Sequence, residues 1–335
     1  MAATLHDVAR VAGVSIKTVS NVINGYAYIR DTTRERVLGA IEELQYKPNL
    51  AARTLRMGRT SVIGLIMPEL RNPYFAELAA DVMQAADRHG LAVLIEQVHG
   101  DRESEIAALH SSRMQMVDGI LYSALALGQD DTDQLRIDTP LVLLGDRIFY
   151  GPTDHVTIQN AEGARAATEH LISLGRRRIL AIGAHEGEKV GSAGLRLDGY
   201  KAALENAGLN YDEKLVLHAG TWHRADGAAT MRQALEEGLT FDGVFAFNDS
   251  LALGAMRVMQ EHAIRIPLDV AIVGFDDIDE TRYSSPSLTT INPGRAEIAN
   301  RAVDALVERI SGASISEPRE IPAEFNLVIR ESTIS

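Results

Sequence analysis

Between Leu5 and Leu44 the apolar positions recur every three or four residues, and from Ser61 onward they gather into short unbroken runs. The first pattern is that of small amphipathic helices, the second that of buried strands separated by helices. Thr4, with Asp7 three residues on, can cap a helix over Leu5–Ala12 that places Leu5, Val8, Ala9 and Ala12 on one face. Gly13 ends it, since glycine accepts the left-handed conformation of a helix C-terminus. Ser15 then caps a second helix reaching about Ile23, with Val19, Val22 and Ile23 inward. Two helices joined through a short glycine-containing turn predict a helix-turn-helix. Thr32 and Glu35 read as a capping box for a third helix, Thr33 to Gln45, burying Val37, Leu38, Ile41 and Leu44.

The body alternates strand and helix. Strands are expected at 61–67, 91–97, 118–123, 141–146, 178–183, 243–248 and 270–275. Helices are expected at 73–89, around 103–116, 161–175, near 195–207, 225–237 and 250 to about 262. Strands separated by helices at this spacing predict parallel sheets with helices on both faces. Two such series argue two subdomains, with ligands at the carboxyl ends of the strands.

Composition removes several classes of function. The 335 residues suggest about two domains. The absence of cysteine excludes disulfides, Cys-ligated metal sites and thiol catalysis. No apolar run approaches the ~18 residues of a membrane span. Met1 to Asn24 is interrupted by His6, Asp7, Arg10 and Lys17, so no signal peptide is expected and the chain is placed in the cytoplasm. Charge informs once it is divided. Residues 1–60 carry nine Lys/Arg against five Asp/Glu, and the rest carries 24 against 41. A basic head on an acidic body is the asymmetry of a chain whose one end meets a polyanion.

The outward face of the second helix, Ile16, Lys17, Thr18, Ser20 and Asn21, offers short polar groups, one amide and one amine, suited to base edges and phosphates. A structural surface helix more often carries Glu/Lys pairs four residues apart, and this one has none. Catalytic signatures are missing: no G-x-S-x-G, no H-E-x-x-H, no G-x-G-x-x-G. Gly183-AHEGEK-Val190 lacks the spacing of a phosphate loop, and His185 with Glu186 and Glu188 reads as a solvated loop rather than a metal site. No cofactor or metal is expected.

The run TLHDVARVAGVSIKTVSNVIN, residues 4–24, closely resembles the lac repressor/galactose repressor family of bacterial transcriptional regulators. The resemblance implies that the second helix enters the major groove of operator DNA. The family's base-reading positions fall on Ile16, Lys17 and Asn21. Ser15, Thr18 and Ser20 match positions that hold the fold or touch phosphate. The run YKPNLAARTLR, residues 46–56, resembles the family's hinge helix, which orders when two subunits meet on their operator. There Leu55 matches the leucine wedge of the minor groove, and Arg53, Arg56 and Arg59 are expected on phosphates. Read without the family, Leu55 is a linker leucine packed on the body rather than a wedge.

The same resemblance extends to about Ser332 and implies a body like the periplasmic sugar-binding proteins: two lobes, discontinuous in sequence, joined by three crossing segments. The crossings are placed near Ile158–Asn160, Thr289–Ile291 and Arg319–Ile321. The resulting division is a head at 1–46, a hinge and linker at 47–60 and an effector body at 61–335. Lobe one covers about 61–158 and 290–320, lobe two about 160–288 and 321–335. By resemblance Asn72, Phe75, Asp146, Arg147, Arg196, Trp222, Asn248 and Asp276 match effector-contacting positions, and Ser192 opens a helix beside them. An aromatic face with carboxylate, amide and guanidinium groups suits a polyhydroxylated ligand. Each has a plainer reading: Phe75 as core, Arg147 as an ordinary ion pair, and Asp249 beside them as a helix cap. Asn292-Pro293 stands where members commonly carry Gln-Pro, and Gln159-Asn160 where Asp-Asn is common, which leaves the effector's identity open. Ending just after Leu327-VIRE-Ser332 without a further heptad helix, the chain is expected to be a homodimer on a near-palindromic double-stranded operator. The function implied is that of an effector-controlled repressor. The alternative is a sugar-binding protein or sugar-processing enzyme on the same α/β body, without DNA binding.

Overall fold

The computed structural model describes residues 3–23, 26, 28–46, 59–312 and 317–334. The chain divides into two compact units, Met1–Thr60 and Ser61–Ser335.

In the first unit α1 spans Leu5–Ala12, α2 Ile16–Ile23 and α3 Asp31–Glu43. The start and stop signals of α1 act as expected. The Thr4 hydroxyl accepts from Asp7 N while the Asp7 carboxylate accepts from Thr4 N, and Gly13 closes the helix in the left-handed region. Ser15 Oγ accepts from Thr18 N at 3.1 Å at the start of α2. Val8, Val19 and Val37 are fully buried and, with Ala9, Ala12, Val22, Ala40 and Tyr46, form the core of this unit. Two expectations for α3 fail. It begins at Asp31 after Arg30, with no side-chain cap, so Thr32 and Glu35 lie inside the helix and form no capping box. Leu38 is 52% exposed, because Val37 and Ala40 take the inward positions.

Among the described residues the body holds two six-stranded sheets. Its strands are β1 Val62–Met67, β2 Ala92–Gln97, β3 Gly119–Ser123, β4 Leu141–Leu144, β5 Asp154–Thr157, β6 Ile179–Ala184, β7 Val216–His218, β8 Gly243–Ala246, β9 Ala271–Phe275, β10 Thr289–Asn292, β11 Glu320–Pro322 and β12 Asn326–Val328. Its helices are α4 Pro73–Arg88, α5 Arg102–Leu109, α6 Asn160–Ser173, α7 Ser192–Asn206, α8 Arg224–Glu236, α9 Asp249–Glu261 and α10 Arg295–Ile310. The strand orders are β11-β5-β4-β3-β1-β2 and β12-β10-β9-β8-β6-β7. Every pairing is parallel except β10 with β12. Fully buried runs such as those of β3, β6 and β9 are what parallel strands covered on both faces require.

Both sheets place the second strand of their series outside the first and the third on its other side. That arrangement opens a crevice at the carboxyl ends, between β1 and β3 and between β6 and β8. The chain passes between the sheets three times: after β5 into α6, after β10 into α10, and from β11 to β12. The second and third passages come later than 289–291 and 319–321, because β10 pairs with β9 and β11 pairs with β5 before the chain leaves. The helix expected over 103–116 ends at Leu109, and Met114–Met116 form a separate 3-10 turn. Helix α10, which the apolar pattern had not singled out, packs on α4 and on β3, β4 and β5, and so belongs to the first lobe.

Candidate functional site

In the head, Ser15 and Lys17 are exposed, and Thr18, Ser20 and Asn21 are half-buried. Ile16 is half-buried as well and packs on the helical core, so only part of its side chain remains for a partner. Ser15 and Thr18 are joined by their hydroxyls at 2.9 Å, which ties them to holding the start of α2. Arg53, Leu55 and Arg56 lie outside the described residues, as does the rest of 47–58.

In the body, a cavity of about 490 Å³ lies at the carboxyl ends of the two sheets. All nine residues expected at the effector site line it: Asn72, Phe75, Asp146, Arg147, Ser192, Arg196, Trp222, Asn248 and Asp276. The structure also shows what else each side chain does. Asn72 caps α4 by accepting from Tyr74 N at 3.2 Å. Asn248, not Asp249, caps α9: its Oδ1 accepts from Leu251 N at 2.8 Å and its amide donates to the Trp222 carbonyl at 3.1 Å. Asp249 is fully buried, accepting from the Thr290 hydroxyl and Ile278 N. Phe75 packs on the core as well as on the cavity.

Two carboxylates and one guanidinium form the floor. Asp146 accepts from Ser192 Oγ at 3.1 Å and from Ile158 N at 3.3 Å, so it links β4 of the first lobe to α7 of the second. Arg196 is 3% exposed. Its Nε donates to Asn160 Oδ1 at 2.7 Å, its Nη1 donates to the Phe247 carbonyl, and its Cζ lies 3.6 Å from the centre of the Phe275 ring. Its Nη2 reaches Asp276 at 3.6 Å, a long ion pair that leaves the carboxylate with lone pairs to share. Burial pushes the Asp276 carboxyl up to about 7 against the pull of Arg196. Asp249 is raised too, by its own burial and then by Asp276.

The backbone is unusual at the same place. Trp222 has φ +60° and Asp276 φ +118°, in the region that non-glycine residues seldom enter. Such conformations cost on the order of 1–3 kcal/mol each and cluster at ligand sites. The Trp222 indole N–H donates to the Gly183 carbonyl at 2.9 Å, which leaves the ring itself as its surface toward the cavity.

Several lining residues escaped sequence reasoning. The Tyr74 phenol is raised by burial and then by Asp276 and Asp146, so it stays a neutral hydroxyl beside two carboxylates. His185 and Glu188, read above as a solvated loop, also line the cavity, 3.0 Å apart. The Glu188 hydrogen bond raises His185; burial works against ionised Glu188, but His185 and Arg147 hold it below its ordinary value. His185 directly follows β6 and Glu188 lies four residues beyond its end, so the rule of strand ends could have found them. Conversely, Asn292 does not reach the cavity: its amide donates to Asp277 at 2.9 Å and its oxygen accepts from Gly294 N. Among the described residues no group of His, Asp and Glu could hold a metal, and no helix is long and apolar enough to cross a membrane.

A helix-turn-helix head followed by a two-sheet body with a polar cleft defines a class: DNA-binding regulators that carry their own ligand-binding domain. Residues 4–49 match the family described as bacterial regulatory proteins, lacI family, and residues 168–333 match the periplasmic binding protein-like domain. The chain belongs to the lacI family of bacterial regulatory proteins. It is 32% identical over 319 residues to the ribose operon repressor of Escherichia coli K12, covering 95% of this chain and 96% of that one. Among solved structures it resembles the transcriptional regulator CelR in complex with cellobiose, with 33% identity, TM-score 0.72, and 98% and 99% of the two chains covered. It also resembles the lac repressor dimer bound to operator and the anti-inducer ONPF, with 28% identity, TM-score 0.85, and both chains covered in full.

Proposed function

We propose that the chain is a cytoplasmic, non-enzymatic repressor, acting as a homodimer on a near-palindromic operator and controlled by a small carbohydrate in the body's cleft. The observation that carries the effector reading is the floor of the cavity. There a buried carboxylate, Asp276, keeps lone pairs toward the cavity beside the aromatic rings of Trp222 and Phe75. Vicinal hydroxyls can donate to both carboxylate oxygens while the apolar face of a sugar ring lies against an aromatic side chain. The cellobiose complex of CelR and the name of the ribose operon repressor support a carbohydrate, and the operator complex of the lac repressor dimer supports the DNA partner.

The coupling follows from the position of the cleft between lobes. Ser192 with Asp146, Arg147 with Glu188, and His223 with Glu69 all reach from one lobe to the other. A ligand that binds the two lobe arrangements unequally shifts their balance, and operator affinity moves with it by the same factor in both directions. A thermal-shift screen of the full chain against pentoses, hexoses, disaccharides and nucleosides tests the reading. A hit must also change affinity for an operator fragment. A panel in which nucleosides alone respond removes the carbohydrate assignment.

A further inference from the structure

Among the described residues, four carboxylates (Glu69, Asp146, Glu188, Asp276) and two guanidiniums (Arg147, Arg196) line the cleft. Acids therefore outnumber permanent cations, and each cation already faces an acid. Arg196 stands 3.6 Å from Asp276, and Arg147 stands 3.4 Å from Glu188. His185 lies 3.0 Å from the same Glu188. Arg295, whose charge also reaches Asp276, is held by Glu77 and Asp81 at 2.5 and 2.9 Å. His99 stands exposed at the rim, next to Asp101.

Glu188 has a further partner. Its Oε1 accepts from Ala193 N at 3.1 Å, in the first turn of α7. A phosphate or carboxylate on a ligand is ordinarily held by a guanidinium and by the free N–H groups of a helix N-terminus. Here one side chain of the protein occupies both places. The loop is shaped around it: Gly191 has φ +122°, and a Cβ there would stand 2.5 Å from Glu188 Oε1.

Granting the cleft its carbohydrate, as proposed above, we infer that Glu188 is a built-in counter-ion restricting the effector to uncharged sugars, excluding sugar phosphates and sugar acids. An anionic ligand would have to displace Glu188 from Arg147 and α7, or sit beside four carboxylates without a cation of its own. A neutral ligand meets no such barrier. Arg147 Nε is buried and has no partner among the described residues.

The test is calorimetric titration of the full-length chain with matched probes: D-ribose and D-ribose 5-phosphate; D-glucose, D-glucose 6-phosphate and D-glucuronate; cellobiose and cellobionate. The neutral member of at least one series is expected to bind, and its anionic counterpart at least a hundredfold more weakly. Glu188→Gln, which keeps the shape and removes the charge, is expected to narrow that ratio by roughly tenfold or more, since it removes a like charge set against an anionic ligand. Arg147→Gln, which removes the cation instead, leaves the ratio wide. An anionic member binding as tightly as its neutral partner in the wild type overturns the inference and leaves the carbohydrate reading in place. So does a ratio that Glu188→Gln does not move. Silence across the whole panel overturns the carbohydrate reading, and this inference with it.

Discussion

Asp276 concentrates the chemistry of the cleft in one side chain. Its folded-state carboxyl titrates near 7 because burial disfavours its charge, whereas its unfolded value is near 3.8. The folded chain therefore binds this proton more tightly than the unfolded one. The contribution to stability is fully present below about pH 3.8 and is lost as pH rises through about 7. Ligand hydroxyls reverse the preference, because they donate to the ionised form. Effector affinity is thus expected to fall roughly tenfold from pH 8 to pH 6, as the ionised fraction of a group titrating near 7 does. His185, held above its ordinary value by the Glu188 hydrogen bond, lines the same cavity, so the Asp276 share is read from a variant. Asp276→Asn should weaken effector binding ten- to a hundredfold, about 1–3 kcal/mol for a mismatched buried hydroxyl, and remove most of the pH dependence. Calorimetry at several pH values checks both. A variant with wild-type affinity would take Asp276 out of the site.

At the scale of elements, contact between helices decides what their sequences leave open. Helices α8 and α9 lie so close that a Cβ on Gly254 would stand 2.0 Å from the Arg224 carbonyl oxygen, and one on Gly227 would stand 2.1 Å from that of Leu251. Gly→Ala in a helix ordinarily gains about 1 kcal/mol of propensity. Here the obstacle is backbone, which cannot rotate away, and overpacking costs about 1–3 kcal/mol or more. Gly254→Ala is therefore expected to lower the body's denaturation midpoint; a raised midpoint would show that the pair of helices can separate at little cost. In the head, α2 presents Lys17 and Asn21 away from the Val19–Val22 core. Lys17→Ala and Asn21→Ala should each weaken specific operator binding by roughly 1–3 kcal/mol, the range for a lost base contact, with effector affinity unaltered. Wild-type operator affinity in both would place the recognition face elsewhere.

For the whole molecule the division of charge sets two different responses to salt. The head carries nine basic against five acidic residues, while the body carries 24 against 41. Operator binding releases counter-ions from DNA. Its affinity should fall on the order of a thousandfold or more between 50 and 200 mM salt if six or more phosphates are met. The charged groups of the cleft are paired within the protein, so effector affinity should change less than about threefold over the same range. A filter or fluorescence titration of each ligand in the same buffers separates the two. Equal slopes would mean that the effector is bound through net charge, against both the proposed ligand and the role of Glu188.

What the sequence determined by itself was carried by near neighbours, though not every local signal held: Thr32 and Glu35 form no capping box, and Asn248 rather than Asp249 caps α9. The capping box of Thr4 and Asp7, the Gly13 stop, the two series of buried strands and the basic head all depend on residues a few places apart. The strand-end rule, with the family resemblance, also singled out nine side chains that line one cavity. Tertiary structure decided the rest, because partners distant in sequence leave no periodic trace. Nothing near Asn292 announces that its amide turns to Asp277, nor does the loop of Glu188 announce Arg147, which lies on the other lobe. The lobe to which α10 belongs follows from its packing on α4 and on β3, β4 and β5, all distant in sequence. The high proton affinity of Asp276 follows from burial, a property of the surrounding fold that no single stretch of chain contains.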